Sequence, residues 1–337
     1  MPVIARLVLF ALLAIASFSA RAQLDYSAYG TLDASYGRFE NSGFDHRYRV
    51  NSNSLSASFV GLQASYGFDG GWKPGINVET FLRFQDLTYG RNDSDKVISR
   101  NAFLSLQSDY GLVRVGRLQS YLFETTARFN AFGNSTGFSP VLRQLFLSGN
   151  LESVQGDFYW DRAASYSLPK IETSQGNVQA SVMYALGKDR QRGDYAGGTV
   201  VYTRRLLSAS LSGQRVHVND GIADPTDETT VQIGAGYNFG WAKLFGQYTH
   251  LNDRGLDSRT HLSSAGVTVP LGPGSVLAQM AYATSRGPAV ERRHTTTSLG
   301  YVWNYETGLD FYLLGSDDRV RNQTRGLSYA LGARYVF

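Results

Sequence analysis

The amino-acid sequence predicts an all-β fold, a sixteen-strand antiparallel up-and-down transmembrane β-barrel with one long inward-folded loop. Apolar residues recur at every second position, the period of a strand, rather than at the 3.6 of a helix. Sixteen such segments follow one another, and tight turns alternate with longer polar loops between them. This alternation of connections is typical of barrels that span a membrane. The modest hydrophobic fraction of 42% agrees, because such barrels spread their apolar residues instead of collecting them in runs.

The N-terminus predicts export from the cytoplasm. Arg6 precedes an apolar run, Leu7–Phe18, and Ala20-Arg21-Ala22 has the small-x-small pattern of a signal-peptide cleavage site. The run of about twelve residues is shorter than the ~20 that a membrane-spanning helix needs. We therefore expect residues 1–22 to be a signal peptide and residues 23–337 to form the barrel.

The strands are recognised by their two unlike faces. In residues 309–313, Leu and Phe alternate with Asp and Tyr, and in residues 178–184 Val, Ala and Tyr alternate with Gln, Ser and Met. Successive side chains of a strand point to opposite faces, so one face is apolar and the other polar. The predicted strands lie near residues 24–37, 54–67, 74–88, 99–108, 112–119, 162–168, 176–186, 195–204, 207–217, 229–239, 242–251, 260–269, 275–285, 294–304, 309–316 and 326–337.

The connections predict how the strands close. Tight turns are expected at residues 109–111, 205–206, 240–241 and 270–274, and longer polar loops at residues 38–53, 89–98, 218–228, 252–259, 286–293 and 317–325. In lipid, an open sheet edge would leave backbone groups without partners, so the sheet must close on itself. One connection, about residues 118–160, is much longer than all the others, and loops of that length are usually functional. Since a barrel of this size encloses a channel, we expect this loop to fold inward and narrow it.

Several motifs resemble those of the Gram-negative general porins, especially the beta-proteobacterial branch. They are Tyr29–Asp33 in the first strand, Arg100–Leu106, Gly116-Arg117, Tyr166–Pro169 after the long loop, and a last strand that ends on the aromatic Phe337. Their order and spacing cover the whole mature chain. The resemblance implies a homotrimer of sixteen-strand barrels, each with its own water-filled pore for passive diffusion of small hydrophilic solutes and ions.

The chain departs from that family at three places. Phe59 stands where a basic residue is common in the second strand, and residues 137–146 replace the usual acidic motif of the inward loop. The first lumen positions after the loop are Ser165 and Ser167 rather than arginine. The family's arrangement of an acidic loop against a basic wall is therefore not inherited.

Polar and charged residues of the wall and loop are the candidate pore lining. From the wall these are Asp33, Glu79, Arg83, Arg114, Arg117, Ser165 and Ser167, and from the loop Glu124, Arg128, Arg143, Glu152 and Asp157. Glu79 and Arg83 either set a transverse field at the constriction or form an ordinary ion pair of the wall, which contributes little when solvated. Strict alternation would send Arg117 outward, whereas the resemblance places it on the pore wall. A bulge at Gly116 reconciles the two, since a glycine within a strand often marks one.

The long loop is unusually rich in phenylalanine. Two interpretations are open for these rings, which are Phe123, Phe129, Phe132, Phe138 and Phe146. They pack the loop against the barrel wall, or they form an apolar slide for a sugar or an aromatic solute.

Other function classes find little support. The net charge is +4, and removal of the two arginines of the signal peptide leaves +2, which argues against a nucleic-acid partner. The five histidines lack metal-ligand spacing, no G-x-S-x-G or nucleotide-binding motif occurs, and we expect no metal, no cofactor and no enzyme. Two alternatives stay open: a substrate-specific channel for a sugar, organic acid or aromatic, and, less favoured, an outer-membrane lipid-modifying enzyme.

Charge and the last strand give two more expectations. Arg128 and Arg143, the missing acidic motif and the small positive charge predict a weak or anionic ion preference. Tyr335 and Phe337 fall on the lipid face at the periplasmic edge, where they act as an assembly signal or simply as girdle aromatics. Expected partners are further copies of the chain, outer-membrane lipid and lipopolysaccharide, the barrel-assembly machinery and small hydrophilic solutes.

Overall fold

The chain forms a closed antiparallel β-barrel in the computed structural model, which describes residues 23–147, 155, 157–187, 194–218 and 226–337. The predicted signal peptide, residues 1–22, and the candidate Glu152 lie outside the described residues. Sixteen long strands make the barrel: β1 Gln23–Phe39, β3 Phe59–Gly67, β4 Lys73–Arg83, β6 Ala102–Ser108, β7 Gly111–Gln119, β8 Tyr159–Ser167, β10 Gly176–Ala185, β11 Tyr195–Arg204, β12 Leu207–Val218, β13 Thr226–Asn238, β14 Lys243–Asp253, β15 Ser258–Leu271, β16 Gly274–Gly287, β17 Val290–Glu306, β18 Leu309–Val320 and β19 Gly326–Val336. Three short strands accompany them: β2 Arg47–Asn51, β5 Thr88–Tyr89 and β9 Ile171–Thr173. The predicted fold class and strand number are confirmed.

The barrel closes between its first and last strands. β1 pairs with β19 from Thr31 opposite Val336 to Arg38 opposite Tyr329, and its N-terminal half pairs with β3. The other long strands pair antiparallel with their neighbours along the chain. The tight turn between β13 and β14 uses Gly240 at a φ of 87°, a left-handed conformation that glycine adopts without strain. Closure leaves no unpaired edge to face lipid.

The two faces of the strands differ as the alternation predicts. Leu313 and Leu331 face outward with 58% and 66% of their surface exposed, whereas the intervening Tyr312 and Ala330 are 2% and 0% exposed. The outward face is the apolar surface that lipid covers. Gln23, the first described residue, and Phe337 lie at the end with the short turns, the periplasmic end.

Strand boundaries differ from the prediction at the opposite, extracellular end. Strands β15 to β18 run further than expected, and the loop predicted at residues 286–293 shrinks to residues 288–289 between β16 and β17. The predicted boundaries are wrong there because strands that rise above the membrane carry polar residues on both faces and lose the apolar signal. β3, conversely, begins at Phe59 instead of residue 54.

A buried carboxylate explains the late start of β3. Asp33, fully buried on β1, accepts hydrogen bonds from the backbone N–H groups of Ser54, Leu55 and Ser56 at 3.1, 3.3 and 3.0 Å. The hydroxyl of Tyr312 donates a fourth at 2.8 Å. The carboxylate therefore holds this segment in a turn against the inner wall, and a charged acceptor with several donors is a strong anchor.

The long loop crosses the lumen, as predicted. Helix α1, Tyr121–Arg128, is capped by the side chain of Ser120 and contacts β11, β12 and β13. A short helical turn, Pro140–Leu142, and a π-helical turn, Arg143–Leu147, follow, and the first of these contacts β15, β16 and β17. Among the described residues, no helix is long and apolar enough to cross a membrane.

The loop phenylalanines pack the loop against the wall. Their exposed fractions are small, at 4% for Phe123, 2% for Phe129, 2% for Phe132, 0% for Phe138 and 4% for Phe146. Phe123, Phe146 and Phe158 join wall residues of β14 to β16 in one cluster, and Phe132 and Phe138 pack with Tyr312 and Leu314 in a second. The packing interpretation is confirmed, and the apolar slide is wrong for these five rings.

The last residue closes the barrel at the periplasmic end. The N–H of Gly30 donates to the carbonyl of Phe337 at 3.0 Å, and the N–H of Phe337 donates back at 3.2 Å. The Phe337 ring lies over Gly30, where a Cβ would come within 2.8 Å of it, and stacks on Tyr335 with centroids 5.8 Å apart.

Deletion of Phe337 should sharply reduce the amount of folded protein in outer-membrane fractions, measured as the heat-modifiable band on unboiled gels. The deletion removes both the final ladder pair with Gly30 and the terminal aromatic, whereas Phe337→Tyr retains both and serves as the control. A girdle aromatic alone contributes at most a few kcal/mol. A near-normal yield after the deletion would show that Phe337 is only a girdle aromatic and not an assembly signal.

Candidate pore constriction

The loop and the wall leave a narrow space near the middle of the lumen. Its cavity volume is only about 30 Å³. The wall and the adjoining connections contribute Asn53, Ala57, Phe81, Arg91, Arg100 and Gln119, and the inward loop and the start of β8 contribute Phe123, Asn134, Thr136, Phe158 and Tyr159. Two guanidinium groups and no carboxylate belong to this lining.

Arg100 lines this space, although sequence reasoning did not single it out. Its Nη1 donates to Oε2 of Glu79 at 2.7 Å, and its guanidinium carbon lies 3.7 Å from the ring centroid of Phe59. Glu79 also accepts from the Asn101 amide at 3.0 Å and the Tyr29 hydroxyl at 2.5 Å. Phe59, which stands where a basic residue is common in the family, thus lies under the guanidinium of Arg100. This is a favourable cation–π arrangement.

Arg91 ties the connection after β4 to the end of the inward loop. Its Nε donates to Asp95 at 2.8 Å, and its two terminal nitrogens donate to Asp157 at 2.7 and 3.0 Å. Burial opposes ionisation of Asp157, but the hydrogen bonds and charge of Arg91 hold the pKa of that carboxyl below its usual value. Asp157 therefore stays ionised and paired.

Arg117 reaches the same cluster through a bulge. The pairing of β7 with β8 shifts register between Gly116 and Leu118, and Gly116 has a φ of 145°, so the predicted bulge is confirmed. The Arg117 guanidinium donates to Asp157 and Asp161, each at 2.9 Å, and to the backbone carbonyls of Ser99 and Tyr159. It is 8% exposed, so it fastens the loop end to the wall rather than standing free in the lumen.

Glu79 and Arg83 do not pair with each other. Arg83 instead donates to Asp93 at 2.6 Å and lies 3.3 Å from Asp86, both in the connection after β4. Each residue is ion-paired outside its own strand, Glu79 with Arg100 and Arg83 with Asp93. The transverse field stays a prediction.

Arg143 lies behind the loop instead of facing the pore. It is 6% exposed, donates to Ser316 Oγ at 3.3 Å and Asn41 Oδ1 at 2.5 Å, and has Asp318 at 4.0 Å. Burial lowers the pKa of its guanidinium, and the charge of Asp318 opposes that shift. Because its charge is paired and covered, Arg143 adds little to the field in the pore.

The remaining candidates lie on the periplasmic side of the loop. Arg114 donates to Ser165 Oγ at 3.3 Å and to the Tyr121 hydroxyl at 3.1 Å, while Ser167 is buried and accepts from Ser181 Oγ at 2.8 Å. These contacts join the start of α1 to strands β7, β8 and β10.

Helix α1 carries two charged residues on its less buried side. Glu124 and Arg128 are four residues apart, so they share one face of the helix. Burial raises the pKa of Glu124 to about 7, although the charge of Arg114 works in the opposite direction. Arg128 is exposed and donates to Ser208 Oγ at 3.0 Å.

Sequence reasoning missed Arg91, Arg100 and Tyr159. Arg100 begins one of the motifs that carry the family resemblance, so the motif could have identified it as a candidate pore-lining charge. Arg91 and Tyr159 carry no local signal, because they reach the constriction through contacts between distant parts of the chain. Within the described residues, no group of three histidine or acidic side chains is arranged to hold a metal ion.

Comparison with known proteins agrees with this architecture. The family model for the Gram-negative porins matches residues 9–323. Outer membrane porin protein 32 of Delftia acidovorans is 29% identical over 300 residues, covering 86% of this chain and 82% of that protein.

Two solved structures show the same fold. An anion-selective porin from Comamonas acidovorans superposes with a TM-score of 0.80 at 23% identity, covering 94% of this chain and all of that one. The in-vitro folded trimer form of OmpT from Vibrio cholerae has a TM-score of 0.68 at 16% identity, with coverages of 94% and 100%. Since the family model covers nearly the whole sequence, this chain belongs to the Gram-negative porin family and is an outer-membrane channel for passive diffusion.

Proposed function

We propose that this porin prefers anions, and that Arg100 and Arg91 set the preference at the constriction. The observation that carries the proposal is the lining of the narrow space, which contains two guanidinium groups and no carboxylate. Charged rings and patches at a constriction decide which ions enter. The description of the Comamonas acidovorans porin as anion-selective supports the proposal.

The acidic partners of these arginines weaken the field but do not cancel it. The side chain of Glu79 is 6% exposed and that of its partner Arg100 is 12% exposed, so the guanidinium is nearer to the water path. Arg91 is less favourably placed: its partner Asp95 is 9% exposed against 26% for the arginine, but its second partner, Asp157, is 36% exposed, so Arg100 contributes more of the field than Arg91. A preference of this origin is modest, since exposed charges act through water. The charge expected from Arg143 does not contribute, because that residue is buried.

We also propose a homotrimer that acts as a channel rather than an enzyme, embedded in outer-membrane lipid and lipopolysaccharide and inserted by the barrel-assembly machinery. The described trimer form of OmpT supports the assembly, and the outward apolar face supports the lipid contact. Light scattering of detergent-purified protein should give three chains per particle, and a monomer alone would contradict the trimer.

Replacement of Arg100 by glutamine should lower the chloride-over-potassium permeability ratio by at most about tenfold. A unit charge about 6 Å from an ion changes its energy by about 0.7 kcal/mol in water, with opposite signs for chloride and potassium, so the ratio of the two changes by about 1.4 kcal/mol. The loss also leaves Glu79 without its cationic partner. Reversal potentials in a salt gradient measure the ratio.

The double variant Arg100→Gln, Glu79→Gln is the control for that experiment. Because it removes both charges, it should restore part of the lost ratio. An unchanged ratio in the single variant would show that Arg100 does not control ion entry.

The ion preference should depend on pH through Glu124. Its carboxyl has a pKa of about 7, so it is neutral below that pH and negative above it. Loss of a negative charge favours anions, and the permeability ratio should therefore be higher at about pH 5.5 than at about pH 8.5. Glu124→Gln should keep the higher ratio at both pH values. If that variant titrates like the wild type, the pH dependence arises elsewhere.

A further inference from the structure

We propose that the periplasmic exit of the pore holds a binding site for small carboxylates with an apolar body, formed by Arg128, Arg205 and Lys243 above an aromatic floor. The site would give the channel a solute preference in addition to its ion preference. It rests on the proposed channel function, because such solutes reach it through the pore or from the periplasm.

The site is a recess in the lumen wall between the loop and the periplasmic turns. It lies where the C-terminal end of α1 meets the turn from β11 to β12 and the start of β14. Its cavity volume is about 230 Å³. Pockets for drug-sized ligands measure about 300–1,000 Å³, so this recess suits a smaller solute.

The three cations around the recess differ from those of the constriction. Arg128, Arg205 and Lys243 are all exposed. In the part of the chain that the structure describes, none of them forms an ion pair with a carboxylate, whereas Arg91, Arg100 and Arg117 all do. Three like charges without a counter-charge create a local field that attracts anions.

Local contacts and backbone conformation position two of these cations. The Arg128 guanidinium is held by Ser208 Oγ at 3.0 Å, which fixes its terminal nitrogens at the rim. Arg205 has a φ of 47° in its two-residue turn, a conformation that places its side chain beside the recess instead of along a strand. A carboxylate bound here would accept charge-assisted hydrogen bonds, which are the stronger kind.

The floor is aromatic. A Cβ at Gly236 would be 3.5 Å from an atom of the Phe129 ring and from one of the Phe245 ring. Phe129 packs the loop against the wall and is only 2% exposed, so the ring surface open to a ligand is mainly that of Phe245, which is 9% exposed. The ammonium of Lys243 is 5.0 Å from the Phe245 centroid, and the guanidinium carbon of Arg128 is 5.7 Å from that of Phe129. Cations at the rim above ring carbons suit a ligand with a negative head and an apolar body. An inorganic anion would leave the floor unused, and a neutral sugar would leave the charges unused.

Benzoate is the probe, and the readout is the concentration that halves the open-channel current through the purified trimer. Acetate carries the same charge without the ring, and benzyl alcohol carries the ring without the charge. We expect benzoate to block at a concentration about tenfold lower than benzyl alcohol, which lacks the charge-assisted hydrogen bonds. It should block at a concentration about threefold lower than acetate, which lacks the apolar contact with the floor. Equal block by benzoate and acetate would overturn the proposal in favour of a purely electrostatic effect.

Two variants test the two parts of the site. Arg205→Gln with Lys243→Gln should weaken benzoate block about tenfold by removing charge. Gly236→Leu should weaken it by filling the floor without a change in charge, and Gly236→Ala, whose methyl group meets only ordinary contacts, provides a milder version if the leucine variant does not fold.

Lys73→Gln is the matched control. Lys73 lies at the same end of the barrel on another part of the wall, 3.7 Å from Asp25, and its loss should leave benzoate block unchanged. Equal weakening by Lys73→Gln, or full block in the Gly236 variants, would overturn the site. A wild-type protein that conducts no ions would refute the channel function instead, so the two failures are distinguishable.

Discussion

The interior of this protein follows from the width of its barrel. Sixteen strands enclose more space than the side chains of the wall can fill, so an unfilled lumen would pass solutes with little selection. The connection between β7 and β8 supplies the missing volume, and its phenylalanines are buried against strands on the far side. What remains open for diffusion is therefore set by where this loop rests.

The loop must be held in place, and charge does much of the holding. Arg117 and Arg91 bind Asp157 at the loop's end, and Arg143 anchors its middle near Asp318. A buried arginine is tolerated only when it is paired and hydrogen-bonded, and these arginines meet that condition. Arg117 and Arg143 thus serve to fasten the loop, whereas Arg91 both fastens it and lines the constriction beside Arg100.

Local rules predicted the barrel but not the details of its interior. The period-two alternation revealed every long strand, and the glycine at 116 revealed the bulge that turns Arg117 toward the loop. The burial of Arg143 and the turn held by Asp33 depend on partners far along the chain, which no local pattern reports. The extracellular strand ends were missed for a related reason, since strands without a lipid face lose the alternation.

Chemical modification of the loop tests the central claim most directly, because the chain contains no cysteine of its own. Thr136 belongs to the loop side of the constriction lining, so Thr136→Cys places a single thiol there. An anionic methanethiosulfonate reagent should then reduce the single-channel current by more than about half, since a bulky charged group would occupy the narrowest part of the pore. An unchanged current after complete modification would show that the loop does not define the path of the ions.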